Sequence, residues 1–366
     1  MGALHTPLCE LFGVRYPIFG LTHSVEVALA IARAGGFPVL ALARSSPDEA
    51  REHVARMRQG MAGGPWGINC LLTETLGQET DRDAAKSKLP PAHVDFVEGL
   101  RRKYGIAPPT QGNFFSSQVR SNTLNEVHAD IALSSGATAF STAIGAPRAM
   151  VARAKAAGMT TIASVGAPRH AQLALASGID VLVAQGYDAG GHTGPIGTFS
   201  LVPQVVDAAD GRPVIAAGGV GHGRHVAAAL AMGAQGVWLG TAWLTATEGG
   251  TDAQLLAKLL AAGSADTVLT RAHSGKSARV LKSAWTDEWS RREAPDPLPM
   301  PLQQVLTGEA MAGIDEHRIE ALRYELCGQS IAWFNECVPV ARIIERLVDE
   351  ANAVMAGLTR AQARAQ

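Results

Sequence analysis

Cysteine is scarce in this chain. Cys9, Cys70, Cys327 and Cys337 are all that 366 residues contain. They are too few and too scattered for a disulfide framework, and none forms a C-x-x-C pair, so no zinc or thioredoxin signature is present. Charge is also thin: Asp, Glu, Lys and Arg make up 18% of the residues, against about 25% in an average soluble domain. A net charge of -1 gives no electrostatic case for nucleic acid or an anionic membrane as partner. No apolar run reaches about 18 residues without a charge or a turn signal. The first residues, Met1 to Val14, lack a basic segment followed by a long apolar stretch, so no secretory signal is read and the expected location is the cytoplasm. No H-E-x-x-H or similar histidine spacing occurs, so no catalytic metal is expected.

Apolar residues (47%) and glycine (39 residues) are abundant. The first supplies a large core. The second suggests positions that need positive φ or close approach to another group. The length allows two or three domains at about 150 residues each, but one α/β barrel absorbs about 250.

Short apolar runs alternate with amphipathic stretches. Strands are expected at 17–21, 37–42, 66–72, 137–141, 160–165, 181–184, 213–217 and 236–240. Helices fall between them. Ser24 is placed to cap one beginning at Val25, which Gly35-Gly36 stops, and Ser46-Pro47-Asp48-Glu49 opens another. The rhythm is lost from Gly77 to about Ser121, which reads as an inserted, helix-containing excursion. Eight βα units in about 245 residues predict a (β/α)8 TIM barrel of the α/β class, with a doubly wound open sheet as the alternative. After Thr247 the composition changes. Residues 247–334 read as a smaller, mostly helical second domain. The barrel then comprises 1–246 and 335–366, with the apolar pattern from Cys337 to Met355 returning as its closing helix.

Catalytic groups of such barrels sit at the C-terminal ends of the strands. After the strand ending at Ala184 comes a loop with four glycines in ten residues, Gln185 to Gly194, with His192 among them. An imidazole there is a candidate base with an ordinary pKa of about 6.5. One strand later comes Gly218-Gly219-Val220-Gly221-His222-Gly223, and after the last strand Gly240-Thr241. Loops at those two places commonly bind phosphate through main-chain N–H groups, and Thr241 adds a hydroxyl. No lysine lies between Gly218 and Thr241, so this is not a P-loop. Gly219 to Arg224 does not match the dinucleotide fingerprint either. His222 lies in the phosphate loop. His273, beside Ser274-Gly275-Lys276, lies in a segment that suits a lid.

The run Ala184-Gln185-Gly186-x-Asp-Ala-Gly-Gly-His-x-Gly, followed by Pro213-Val-Ile-Ala-Ala-Gly-Gly-Val and Leu239-Gly240-Thr241, resembles the nitronate monooxygenase (2-nitropropane dioxygenase) family of FMN-binding barrels. The resemblance runs from about Pro17 to Leu347. It takes in Trp66-Gly67-Ile68-Asn69, Thr270-Arg271-Ala272-x-Ser-Gly-Lys and Cys327-Gly328-Gln329. It implies that Asn69 and Gln185 bond the flavin and that Gly190 lets the isoalloxazine approach the backbone. Gly218, Gly219, Gly240 and Thr241 would hold the phosphate of FMN. His192 would remove a proton α to a nitro or carbonyl group. The chain departs from the family at the first strand: where P-I-x-Q-A-P-M is usual, Gly20, Thr22 and His23 replace the Gln, the Pro and the Met. A second imidazole, His23, is therefore expected to bear on substrate selection.

The expected function is an FMN-dependent oxidation of a small nitronate or similar acidic C–H substrate by O2. One alternative is an NAD(P)H-dependent quinone or enoyl-thioester reductase on the same flavin barrel. Another, of a different class, is a flavin-free phosphate-binding barrel. Oligomeric state is not legible in the sequence.

Overall fold

The computed structural model describes residues 4–72, 76–78 and 81–365; Glu79 and Thr80 of the expected excursion lie outside the described residues. The strands are β1 (Ile18–Thr22), β2 (Phe37–Ala41), β3 (Gly67–Leu71), β4 (Ala139–Ala143), β5 (Thr160–Val165), β6 (Val181–Gln185), β7 (Gly191–His192), β8 (Val214–Ala217), β9 (Gly236–Leu239), β10 (Thr267–Thr270) and β11 (Ala278–Leu281). Eight of them close into a parallel barrel in the order β1-β2-β3-β4-β5-β6-β8-β9, with β9 pairing back onto β1 through Phe19 opposite Trp238. This is the closed form of the two α/β arrangements the sequence allowed.

Local chemistry explains the alternation. The barrel strands are short and almost wholly buried, because their outer faces meet helices and their inner faces meet one another. Helix Val25–Arg33 begins with the Ser24 side chain accepting from the Val27 N–H, and Gly35 follows it at φ +90°. Helix Pro47–Met61 begins with a full capping box between Ser46 and Glu49.

The barrel interior is filled by Phe19, Phe37, Ile162, Val181, Val183, Ile215 and Trp238. Its N-terminal end is plugged by the short helix Pro7–Phe12. There the Phe12 ring lies edge-on to Phe19 at 5.0 Å and tilted against Phe37 at 4.7 Å. With that end blocked, the loops at the C-terminal ends of the strands are where a site can form.

The closing helix runs longer than expected, Val340–Ala365, and packs its Val340, Ile343, Ile344, Leu347 and Ala351 side chains into the main core. It lies against the Val25–Arg33 and Gly223–Ala231 helices, so the last element of the chain closes the helical ring between the seventh βα unit and the first. The excursion after β3 is helical over Arg82–Lys86, Pro91–Tyr104 and Phe114–Ser117. It does not stand alone. Val97, Leu100 and Ile106 share one apolar cluster with Trp285, Trp289, Leu306, Met311 and Leu322. Glu288, buried at their junction, accepts from Lys103 Nζ at 2.5 Å and Tyr104 OH at 2.6 Å. The excursion and the segment after Thr247 thus build one cap. Among the described residues no helix is long and apolar enough to cross a membrane.

Candidate active site

The cap is stitched to the barrel at the expected catalytic loop. Strand β11 pairs antiparallel with β7, with Ala278 opposite His192, and β10 pairs on the far side of β11. This fixes the His192 main chain as sheet, where the glycine-rich sequence suggested only a loop. Gln185, at the end of β6, donates from Nε2 to the His192 carbonyl at 2.9 Å. The His192 ring is oriented from the cap, with Nδ1 3.2 Å from the Ser277 carbonyl oxygen. A carbonyl only accepts, so Nδ1 carries the proton and Nε2 keeps its lone pair. Burial pushes the imidazole down to about 4, with Lys276 and Arg120 adding to the effect. The pKa near 6.5 expected from the sequence is therefore corrected: the ring is neutral at pH 7 because its charged form is poorly solvated.

His23 lies just beyond the end of β1. Its Nδ1 faces the Ala41 carbonyl at 3.0 Å, and burial followed by the Arg44 charge lowers it to about 3. Arg44 grips Glu325 with both terminal nitrogens, Nη1 reaching Oε2 at 3.1 Å. Burial opposes the Glu325 charge, but Arg44 holds the carboxyl below its usual range. Beside this pair the His273 ring stacks on Tyr324, centroids 3.6 Å apart, with both ring nitrogens buried and unpartnered among the described residues. Arg44, Glu325 and Tyr324 carry no sequence motif that would have flagged them. They come from the turn after β2 and from a segment 281 residues later, and only the packed cap brings them to the mouth.

Asn69, buried on β3, donates from Nδ2 to the Ser141 hydroxyl on β4 at 3.0 Å. Gly190 is needed by the chain itself. A Cβ there would lie 2.8 Å from the Gly328 nitrogen and 2.9 Å from Cys327 main-chain atoms. The same contact is tied by Gln329 N–H to the Asp188 carbonyl, 2.9 Å, and by Gly328 N–H to the Thr241 hydroxyl, 2.9 Å. The Cys327-Gly328-Gln329 run therefore buttresses the loop before His192 and the turn after β9 together.

Gly218 (φ +98°) and Gly219 (φ +71°) follow β8, and Gly240 follows β9. The N–H groups of Gly218, Gly219 and Gly240 find no acceptor among the described residues. The adjoining helix start is already satisfied: Gly223 N–H donates to Glu350 at 2.7 Å and Arg224 N–H to His222 Nδ1 at 3.0 Å. His222 also lies 3.1 Å from Glu350. It is thus committed to capping and to the closing helix.

Comparison with known proteins agrees with this geometry. The family model for nitronate monooxygenase matches residues 5–350. A Mycobacterium tuberculosis protein that carries a provisional name as a monooxygenase is 38% identical over 327 residues, 86% of each chain. A nitronate monooxygenase of Pseudomonas aeruginosa is 30% identical over 349 residues, 92% of this chain and 95% of its own. The crystal structure of a nitroalkane oxidase from Streptomyces ansochromogenes superimposes with a TM-score of 0.78 at 27% identity, covering 96% of this chain and 99% of that one. A match of this length, on a closed barrel with this mouth, makes the chain a member of the nitronate monooxygenase family of flavin-dependent oxidoreductases.

Proposed function

We propose that this enzyme uses FMN to oxidise a small nitronate, or a substrate with a similarly acidic C–H bond, with O2. The observation that carries the reading is His192: a neutral imidazole, its tautomer set by the Ser277 carbonyl, with Nε2 unpartnered among the described residues at the mouth of the barrel.

The residues at the mouth fit a flavin mononucleotide. The N–H groups of Gly218, Gly219 and Gly240, without an acceptor among the described residues and at the ends of neighbouring strands, suit a single phosphate. The Thr241 hydroxyl accepts from Gly328 and keeps its own hydrogen to donate. Asn69 in the middle of β3 and Gln185 at the end of β6 offer carboxamides for the polar edge of the ring system. When bound, FMN supplies the electron transfer between substrate and O2.

Each residue then has a defined task. Ser277 orients the His192 ring. His192 Nε2 accepts the proton from the carbon α to the nitro or carbonyl group, and with a substrate already ionised it only faces that carbon. His23, neutral and donating from Nδ1 to Ala41, presents its other nitrogen as an acceptor where the family usually has a methionine.

The test is anaerobic reduction of the purified enzyme with a panel of nitronates, NADH and NADPH, after identifying the released cofactor. FMN reduced by a nitronate and reoxidised by O2 is the expected result. Reduction by NAD(P)H alone would make the enzyme a reductase of quinones or enoyl thioesters. FAD, or no flavin in repeated preparations, would overturn the cofactor assignment.

A further inference from the structure

Arg120 lies in the excursion after β3, immediately before Ser121, which caps the Asn122–Leu133 helix. It is only 5% exposed. One terminal nitrogen, Nη2, donates to the Ala43 carbonyl just past β2, and the guanidinium lies 4.9 Å over the Phe114 ring. The other, Nη1, is buried with no partner among the described residues. Among the described residues no carboxylate answers the charge. Arg44 pairs with Glu325 and Arg323 with Asp252, whereas Arg120 has only a carbonyl and a ring.

Its surroundings are otherwise neutral or positive. Arg120 is near enough for its charge to act on His23, His192 and His128, and Lys276 acts on His192 as well. The half-buried Glu325 is already neutralised by Arg44. A guanidinium removed from water without a counter-charge is costly unless an anion completes the site. Its fork matches two coplanar oxygens, the shape shared by a carboxylate and a nitronate.

We propose that Arg120 is the specificity-determining residue that holds the anionic group of the substrate, a planar pair of oxygens, at the same barrel mouth as His192. This rests on the mouth of the barrel being the substrate site, as proposed above. The arrangement divides the work: the guanidinium holds the oxygens, and the neutral His192 ring faces the carbon without competing for them.

The test is equilibrium binding to the purified holoenzyme by titration calorimetry, with flavin content and nitronate oxidation recorded separately. The probes are butyrate, its neutral analogue butyramide, and ethylnitronate under anaerobic conditions. The wild type should bind at least one of the two anions, and should prefer it to butyramide. In Arg120→Met the affinity for that anion should fall about 10- to 100-fold, the range for a lost charged hydrogen bond. Affinity for butyramide and flavin content should not change. Loss for ethylnitronate alone identifies the nitro oxygens as the held group, and loss for butyrate a carboxylate. Should Arg120→Met not fold, Arg120→Lys carries the test: it keeps the charge, loses the fork, and should weaken the anion several-fold. Equal wild-type affinity for both anions and the amide would overturn the proposal. So would unchanged anion affinity in the variants, or an effect confined to flavin retention. Failure of nitronate oxidation with Arg120-dependent anion binding intact would refute the reaction assigned above and leave this inference standing.

Discussion

The His192 Nδ1 lies 3.2 Å from the Ser277 carbonyl oxygen, across the pairing of β7 with β11. A group on the barrel is thus oriented by main chain from the cap, and the protonation state of the ring follows from where the cap sits.

His192→Ala should lower turnover of a substrate that must be deprotonated by about 10²–10⁴-fold, the usual worth of a general base. Flavin should stay bound, since the ring bonds only Ser277. With an already ionised nitronate the loss should be smaller. For the wild type, the acid limb of the pH–rate profile should fall near 4 instead of 6.5, because burial lowers the ring. Stopped-flow flavin reduction across pH reads both. A limb near 6.5 would mean that the imidazole is solvated.

His23→Met restores the side chain that the family usually carries at this position. It should change the ranking of substrates more than the maximal rate. Steady-state comparison of His23→Met and His192→Ala on one deprotonatable substrate separates the two imidazoles. Collapse in the first with near-normal rates in the second would reverse their roles.

Gly240 and Gly219 test the phosphate site differently. Gly240 has φ -129°, and a Cβ there would meet only the Leu21 carbonyl oxygen at 3.9 Å. Gly240→Val should therefore fold while crowding the phosphate, and flavin content should drop sharply. Gly219→Val adds backbone strain at φ +71° and should also lower the melting temperature. Full flavin occupancy in both would place the phosphate elsewhere.

Arg44→Met leaves the half-buried Glu325 without its partner and should cost about 1–3 kcal/mol of stability. In the double variant Arg44→Met/Glu325→Leu the loss should be smaller than the sum of the single losses, because no charge is left stranded. Urea unfolding of the four proteins measures this. Strict additivity would show that the pair contributes no coupling.

His128 sits in the Asn122–Leu133 helix with Nε2 3.0 Å from the Ser45 carbonyl, and burial lowers it to about 4. The unfolded chain, with an ordinary value of about 6.5, takes up protons first as pH falls. Stability is therefore lost between about 6.5 and 4, by about 1–2 kcal/mol for this residue at pH 5. His23, His192 and His273 are lowered as well and act in the same direction. His128→Gln should flatten the dependence between pH 7 and pH 5, as read by denaturant unfolding. An unchanged slope would mean that His128 stays solvated.

The sequence by itself determined the alternation. Buried strands of β-branched and small residues, helices opened by Ser24 and Ser46, and glycines at helix ends are local signals, decided within a few residues by side-chain shape and capping. The same local rules put Gln185, His192, Gly218, Gly219 and Gly240 at the C-terminal ends of strands, so most of the candidate site was legible. Only the tertiary structure decided what surrounds those residues. Pairing of β7 with β11 turned an apparently loose loop into sheet, and Gly190 proved to make room for Cys327 and Gly328. Arg44 met Glu325, and Arg120 was left without a carboxylate. Each depends on chain segments far apart in sequence coming to one mouth, and on water being removed from between them. Burial sets the charge of an imidazole and the need of a guanidinium for an anion, and burial belongs to the packed molecule, not to any short stretch of it.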